Sequence, residues 1–263
     1  MIERDDGALE IPGEAVTDPV AYTTALGAEA GRQGAEVCTR WRVVTIKPHR
    51  TGLAVGSDSG AIVRCRVAVN CAGLGADSVA RLAGDDSFSI YPRKGEFLVF
   101  DPPVGERLDR ILLPVPSKRT KGVLVFPTID GKIIAGPTAV DLEDKRDWSV
   151  RPEAHREIVS KAAALYPPIA DAESVFAYAG LRPAGRGVNY LIGPAPGCPH
   201  LVHVAAIRST GLTASPGIAA HVTRIVASLG VTLGPEQALR GGQVAAGGPL
   251  WRRTADYRAA VTA

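Results

Sequence analysis

Residues 206–222, AIRSTGLTASPGIAAHV, put small and polar residues at the mouth of a helix and follow them with an apolar stripe. Val222, Ile225, Val226 and Leu229 recur at helical spacing, Gly230 supplies a stop, and the preceding run LVHVAA (201–206) reads as a short buried strand. A strand therefore feeds a Gly-containing turn and then a helix N-terminus. Such a terminus presents unpaired backbone N–H groups and a partial positive charge, so it receives a phosphate, a carboxylate or the electron-rich edge of a cofactor ring. The alternative is an ordinary strand-to-helix turn capped by Thr210 or Thr213.

The same strand, Gly turn and helix pattern ends the first region, in VAVNCAGLGADSVARLAG (67–84). Upstream of it, Asp18-Pro19 reads as an N-cap followed by Pro at the first helical position, and the Ala-rich segment up to Gly34 completes that helix. Three strand-like runs follow: WRVVTIK, GLAVGS and IVRCRVAVN. From about Phe88 to Ala139 the pattern changes to successive strand-length runs, IYPRKGEFLVFD, RILLPVP, GVLVFPT and KIIAGPT, with Asp130-Gly131 marking a hairpin. This reads as an antiparallel sheet of its own. A helix in PEAHREIVSKAAALYP then leads to the strand SVFAYAGLRPAGR and back to the opening stretch.

Composition narrows the function. A chain of 263 residues buries a real core, and 46% apolar with 22% charged residues is ordinary for a globular protein. A net charge of +3, with Lys and Arg scattered, does not argue for nucleic acid. The acidic start MIERDDGALE does not read as a secretory signal, and no apolar run is long enough to span a bilayer. Cys38, Cys65, Cys71 and Cys198 lack metal-site spacing, so a reduced, cytoplasmic protein is the expectation, with peripheral association at the inner membrane kept beside it.

Gly73, Gly75 and Ser78 nearly spell G-x-G-x-x-G, with Glu96 downstream where a ribose-binding acid is expected. That reading is rejected here: the third Gly is missing, the preceding strand follows a meander, and Glu96 sits inside the middle sheet. A better account is the order GALEIPGEAVTDP, a helix, AEVCTRWRVVTIK, VAVNCAGLGAD, YPRKGEFLVFD, AYAGLRPAG and IRSTGLTASPGIA. It resembles the D-amino-acid-oxidase-type superfamily of FAD-dependent oxidoreductases, over residues 8 to about 230. The likeness is strongest to the glycerol-3-phosphate dehydrogenase and L-2-hydroxyglutarate dehydrogenase branch, where LLPVPSKRTKGVLVFPTIDGKIIAGPTAVDLEDK matches the anaerobic glycerol-3-phosphate dehydrogenases. Such proteins open with an apolar strand and a G-x-G-x-x-G turn, to which nothing here corresponds. The expectation is a chain resembling the later two-thirds of such an enzyme, its preceding segment absent by truncation, a misplaced start or deliberate cutting.

The resemblance implies an α/β (α+β) fold: an incomplete FAD-binding α/β domain over 1–83 and 176–230, an inserted antiparallel-sheet substrate domain over 84–175, and a tail over 231–263. It implies that Gly211, Leu212 and Thr213 cradle the flavin ring, that Val43 meets the adenine through its backbone, and that Ala72 and Gly73 approach the diphosphate or ribitol. The alternatives are a core valine and a left-handed turn residue. Arg182 is expected to grip an anionic substrate through its bidentate fork, against a surface Arg at a strand end. Lys94 is expected to reach the flavin or the substrate, against a solvated Lys. Arg208, Lys118, Arg119 and Lys121 would add positive field. His203 is the candidate general base, against a hydrogen-bonded structural histidine.

Implied partners are a small anionic substrate, a quinone or electron-acceptor protein, and the missing N-terminal segment; nucleic acid is not among them. Three functions compete: a dehydrogenase of glycerol 3-phosphate or a 2-hydroxy acid, an amino-acid oxidase of the same superfamily, and a cofactor-free binding domain.

Overall fold

The computed structural model describes residues 2–3, 8–103, 107–117 and 121–238. Lys118, Arg119 and most of the 231–263 tail lie outside the described residues. In chain order the elements are β1 (Ile2–Glu3), β2 (Leu9–Glu10), α1 (Pro19–Arg32), β3 (Val43–His49), β4 (Gly52–Ser57), β5 (Ile62–Cys65), β6 (Ala68–Asn70) and α2 (Ala76–Arg81). They continue with β7 (Ile90–Phe100), β8 (Leu124–Pro127), β9 (Ile133–Gly136), β10 (Val140–Asp141), α3 (Ala154–Ala162), β11 (Ser174–Gly185), β12 (Leu191–Ala195), β13 (Cys198–Ala205) and α4 (Gly211–Ser228).

Local chemistry accounts for α1. The Asp18 carboxylate accepts from the Val20 and Ala21 amides at 3.0 Å each, Pro19 follows where its missing N–H costs nothing, and Gly34 at φ +93° ends the turn. Asp18→Ala is expected to cost about 1 kcal/mol, read as a lower thermal midpoint. An unchanged midpoint would show that the cap adds nothing.

Two short sheets flank the turn regions. β3, β4 and β5 form an antiparallel meander, whose Ile46 and Leu53 pack with Leu201 of β13. In the second sheet β13 lies between β12, antiparallel, and β6, parallel, with Leu201, Val202 and His203 opposite Ala68, Val69 and Asn70. Strand, turn and helix from 67–84 thus stand beside strand, turn and helix from 198–228. No helix among the described residues is long and apolar enough to cross a membrane.

The middle sheet is antiparallel, in the order β10-β7-β9-β8 with β11 along the other edge of β7. Turn residues at Asp130-Gly131, with Gly131 at φ +83°, join β8 to β9. α3 covers one face, burying Ala154, Ile158 and Ala162 against Leu98, Phe100, Val125 and Ile133. The boundary expected at 175/176 cuts through β11, which pairs with β7 from Ser174 to Gly185 and belongs wholly to this sheet. Hydropathy could not show this, because a strand reads alike whichever sheet it joins. RILLPVP contributes a single bridge, Leu112 to Val125, instead of a strand.

Candidate functional site

The opening stretch forms the expected mouth. β13 ends at Ala205, the chain turns at Ala206 (φ +57°), and α4 begins at Gly211 with Thr210 as N-cap residue. No side chain caps this helix: the Thr210 hydroxyl is hydrogen-bonded to the Tyr190 hydroxyl instead, and Leu212 is exposed. The first-turn amides of Gly211, Leu212 and Thr213 are the donors that helix geometry leaves unpaired. Pro216 removes one bond inside the helix, and the Ser215 hydroxyl donates to the freed Leu212 carbonyl at 2.8 Å.

The turn after β6 is held by a buried polar chain. Asn70 Oδ1 accepts from the Ala72 amide at 3.2 Å, while its Nδ2 donates to the Ala76 carbonyl at 2.9 Å and to His203 Nδ1 at 3.1 Å. His203 Nδ1 is therefore an acceptor, so Nε2 carries the proton and donates to Asp85 Oδ2 at 2.9 Å. Burial alone would raise the Asp85 carboxyl; hydrogen bonds from Ser87 and His203 outweigh it and hold the group below its ordinary value. Gly73 sits at φ +54°, and an added Cβ would meet no atom within 4 Å, so the turn opens onto free space. It packs against β7 and β11 of the middle sheet.

These contacts correct the expectation for His203. A general base needs a reachable, unprotonated nitrogen. The His203 ring is 2% exposed, has both nitrogens engaged, and meets the Phe88 ring edge-on at 5.2 Å. It links β13 to the Ala72–Gly73 turn.

Arg182 lies in β11 directly opposite Arg93 of β7. Like charges facing each other across a ladder repel, and the two side chains divide. Arg93 forks onto Asp141, with Nε at 2.5 Å and Nη2 at 2.7 Å from the two carboxylate oxygens. Arg182 is half-buried, and its Nη2 donates to the Thr138 carbonyl at 2.8 Å. Among the described residues no carboxylate lies within ion-pair distance of Arg182. Burial first, then repulsion from Arg93 and Arg208, lowers its guanidinium from the ordinary value, with Asp141 alone pulling the other way. A cleft of about 680 Å³ beside it is lined by Thr138 and by the charged Arg93, Asp141, Glu157, Lys161 and Arg208. Arg208 precedes Thr210 by two residues, so the cleft joins the sheet to the loop that enters α4.

Lys94 is not brought to this cleft. Successive strand residues point to opposite faces, and Lys94 is 1% exposed with Nζ donating to Asp147 Oδ2 at 2.9 Å. Its neighbours by parity, Glu96, Leu98 and Phe100, face α3 and the 147–151 segment. Hydrogen bonds from Ser149 and Lys94 pull the Asp147 carboxyl down to about 2. The substrate-ligand expectation for Lys94 gives way to an ion pair between the buried lysine and the partly exposed Asp147 carboxylate. Val43 begins β3 opposite Ser57, its side chain packed against the cluster around Ile46 and Leu53. Arg93, Gly95, Thr138 and Asp141 escaped the sequence reading. The signal that would have found Arg93 is strand parity, which depends on knowing that position 182 pairs with 93.

An open glycine turn and an uncapped helix mouth thus stand on the same mixed fold as a cleft lined by charges of both signs. The chain belongs to the FAD dependent oxidoreductase family, which matches residues 2–225. It is 30% identical over 223 residues to a glycerol 3-phosphate dehydrogenase of Caloramator mitchellensis, covering 85% of this chain and 46% of that protein. It is 38% identical over 91 residues to the mitochondrial L-2-hydroxyglutarate dehydrogenase of Mus musculus, covering 34% of this chain and 20% of that one. The structure of a dithionite-reduced L-alpha-glycerophosphate oxidase from Mycoplasma pneumoniae with FAD bound superposes with a TM-score of 0.75 at 27% identity, covering 84% of this chain and 58% of that one. The chain thus spans about half the length of the longer matches.

Proposed function

We propose that this chain forms the substrate sheet and the flavin-facing half of a dehydrogenase that oxidises a small anionic hydroxy compound, with glycerol 3-phosphate as the preferred substrate. The observation that carries the reading is Arg182: a half-buried guanidinium without a carboxylate partner among the described residues, near Arg208 and an Arg93 that is engaged by Asp141. With Arg93 engaged by Asp141, Arg182 and Arg208 are the cations left to meet a small anion such as a phosphate, beside a cleft wall that also carries Lys161 and Glu157.

An extended cofactor fits what the chain presents. Gly211, Leu212 and Thr213 would hold the ring's electron-rich edge with uncapped amides, and Gly73, next to Ala72, leaves room for the diphosphate or ribitol. Val43 would meet the adenine through its backbone. Bound FAD supplies a two-electron acceptor for hydride leaving the substrate carbon. Arg182 would orient the substrate by its anionic end. The remaining half of such an enzyme, bearing the strand and glycine turn for the diphosphate, would come from a further segment, with a quinone or an acceptor protein as the electron acceptor.

The test measures flavin absorbance and dye-linked oxidation of glycerol 3-phosphate, in the purified 263-residue chain and in the chain joined to, or mixed with, a G-x-G-x-x-G-bearing βαβ segment. Weak flavin retention alone, and yellow protein with activity in the joined form, are expected. Tight stoichiometric FAD in the chain alone would overturn the two-part reading. Activity on neutral alcohols equal to that on glycerol 3-phosphate would overturn the anionic substrate.

A further inference from the structure

We infer that Gly95 and Thr138 are positioning residues that together form a seat for the Arg182 guanidinium. The inference rests on the reading of Arg182 as the substrate's anion anchor.

Arg182 and Arg93 face each other across the β7–β11 ladder, so one of them must leave the straight cross-strand path. Arg93 takes Asp141. Arg182 bends along the strand until its guanidinium lies over Gly95, the residue two positions on from Arg93 on the same face. A Cβ built on Gly95 would stand 2.1 Å from Arg182 Nη2, 3.0 Å from its Cζ and 2.9 Å from Pro137 Cβ. The need for glycine here is space alone, since Gly95 has no left-handed φ.

The other half of the seat is a fixed carbonyl. Thr138 is buried, its amide donates to the Glu96 carbonyl at 3.2 Å, and its hydroxyl donates to Glu96 Oε2 at 2.7 Å while accepting from the Glu96 amide at 3.0 Å. Thr138 is thus tied three times to one residue, and its carbonyl is held where Arg182 Nη2 reaches it at 2.8 Å. A guanidinium has five N–H donors in a rigid plane, so spending one on Thr138 fixes the direction of the other four.

Gly180 provides an internal control. It lies directly opposite Gly95 in the ladder, yet an added Cβ there would meet nothing within 4 Å. The experiment compares Gly95→Ala, Thr138→Val, Gly180→Ala and Arg182→Ala with the parent chain by two readouts. One is the rate at which phenylglyoxal modifies Arg182, followed by mass spectrometry, with exposed Arg186 as reference. The other is the affinity for glycerol 3-phosphate by calorimetry.

Gly95→Ala should speed Arg182 modification about tenfold and weaken affinity by a similar factor, as expected where one charge-assisted hydrogen bond is weakened. Gly180→Ala should change neither by more than about twofold. Thr138→Val, which keeps volume and carbonyl but loses the hydroxyl ties, should move both readouts in the same direction and so carries the test if Gly95→Ala folds poorly. Unchanged modification in both Gly95→Ala and Thr138→Val would overturn the seat. Faster modification combined with equal affinity in the parent and Arg182→Ala would leave the seat standing and overturn the anchor role.

Discussion

Arg151→Leu is expected to destabilise the chain by about 3–5 kcal/mol, the usual result of stranding one member of a buried ion pair. Glu96 has no exposure, and Arg151 reaches it through Nε, Nη2 and its own backbone amide, at 2.7–3.1 Å. The Arg151 side chain keeps 27% exposure, so the pair's net worth in the parent is modest. Removing the arginine is a different matter, because the buried carboxylate left behind loses its counter-charge and keeps only the 151 amide and the Thr138 hydroxyl. At roughly 2–4 °C per kcal/mol for a domain of this size, the midpoint should fall by about 6 °C or more.

The pH dependence has a definite sign. Burial would raise the Glu96 carboxyl, but the Arg151 side chain, the Arg151 amide and Thr138 outweigh it and lower the folded value. A lowered folded pKa means that this stability is fully present above the unfolded value, about 4.3, and is lost as pH falls through the folded value. Without the Arg151 side chain, the 151 amide and Thr138 alone oppose burial, and the folded value should rise from that of the parent. The variant's penalty should then shrink as pH falls through the variant's raised folded value, measured by urea melts. A penalty that is small and independent of pH would show that Arg151 does not stabilise the Glu96 carboxylate.

The second large effect concerns recognition. Arg182→Lys keeps a positive charge but loses the planar fork, and should weaken glycerol 3-phosphate binding by about 1.5–3 kcal/mol, the value of a hydrogen bond to a charged group. In the flavin-loaded, joined form this appears as a higher KM, with flavin content and the thermal midpoint near those of the parent. Lysine cannot donate to Thr138 and present a two-pronged edge to the anion together. An unchanged KM with normal turnover would remove Arg182 from the site. Loss of flavin instead of substrate affinity would assign the residue to the cofactor.

Some of this protein was legible along the chain because the controlling physics is local. The Asp18-Pro19 start of α1, the Asp130-Gly131 hairpin and the strand-turn-helix around Gly211 each depend on residues a few positions apart. The order of several such pieces, taken together, was enough for the family. Other features were decided only in three dimensions. Lys94 and Arg93 are adjacent in sequence, yet a one-residue difference in parity sends one to a buried position paired with Asp147 and the other to the cleft with Asp141. That choice is made by the pairing of β7 with β11, nearly ninety positions away. His203 looked like a base because a strand histidine before a cofactor turn suits one; Asn70 and Asp85, brought from 133 and 118 positions away, occupy its two nitrogens. Glu96 and Arg151 likewise meet across 55 positions. Helical and turn preferences act through neighbours on the chain, whereas a side chain's face, burial and charge partner are set by strand register, which neighbouring residues do not encode.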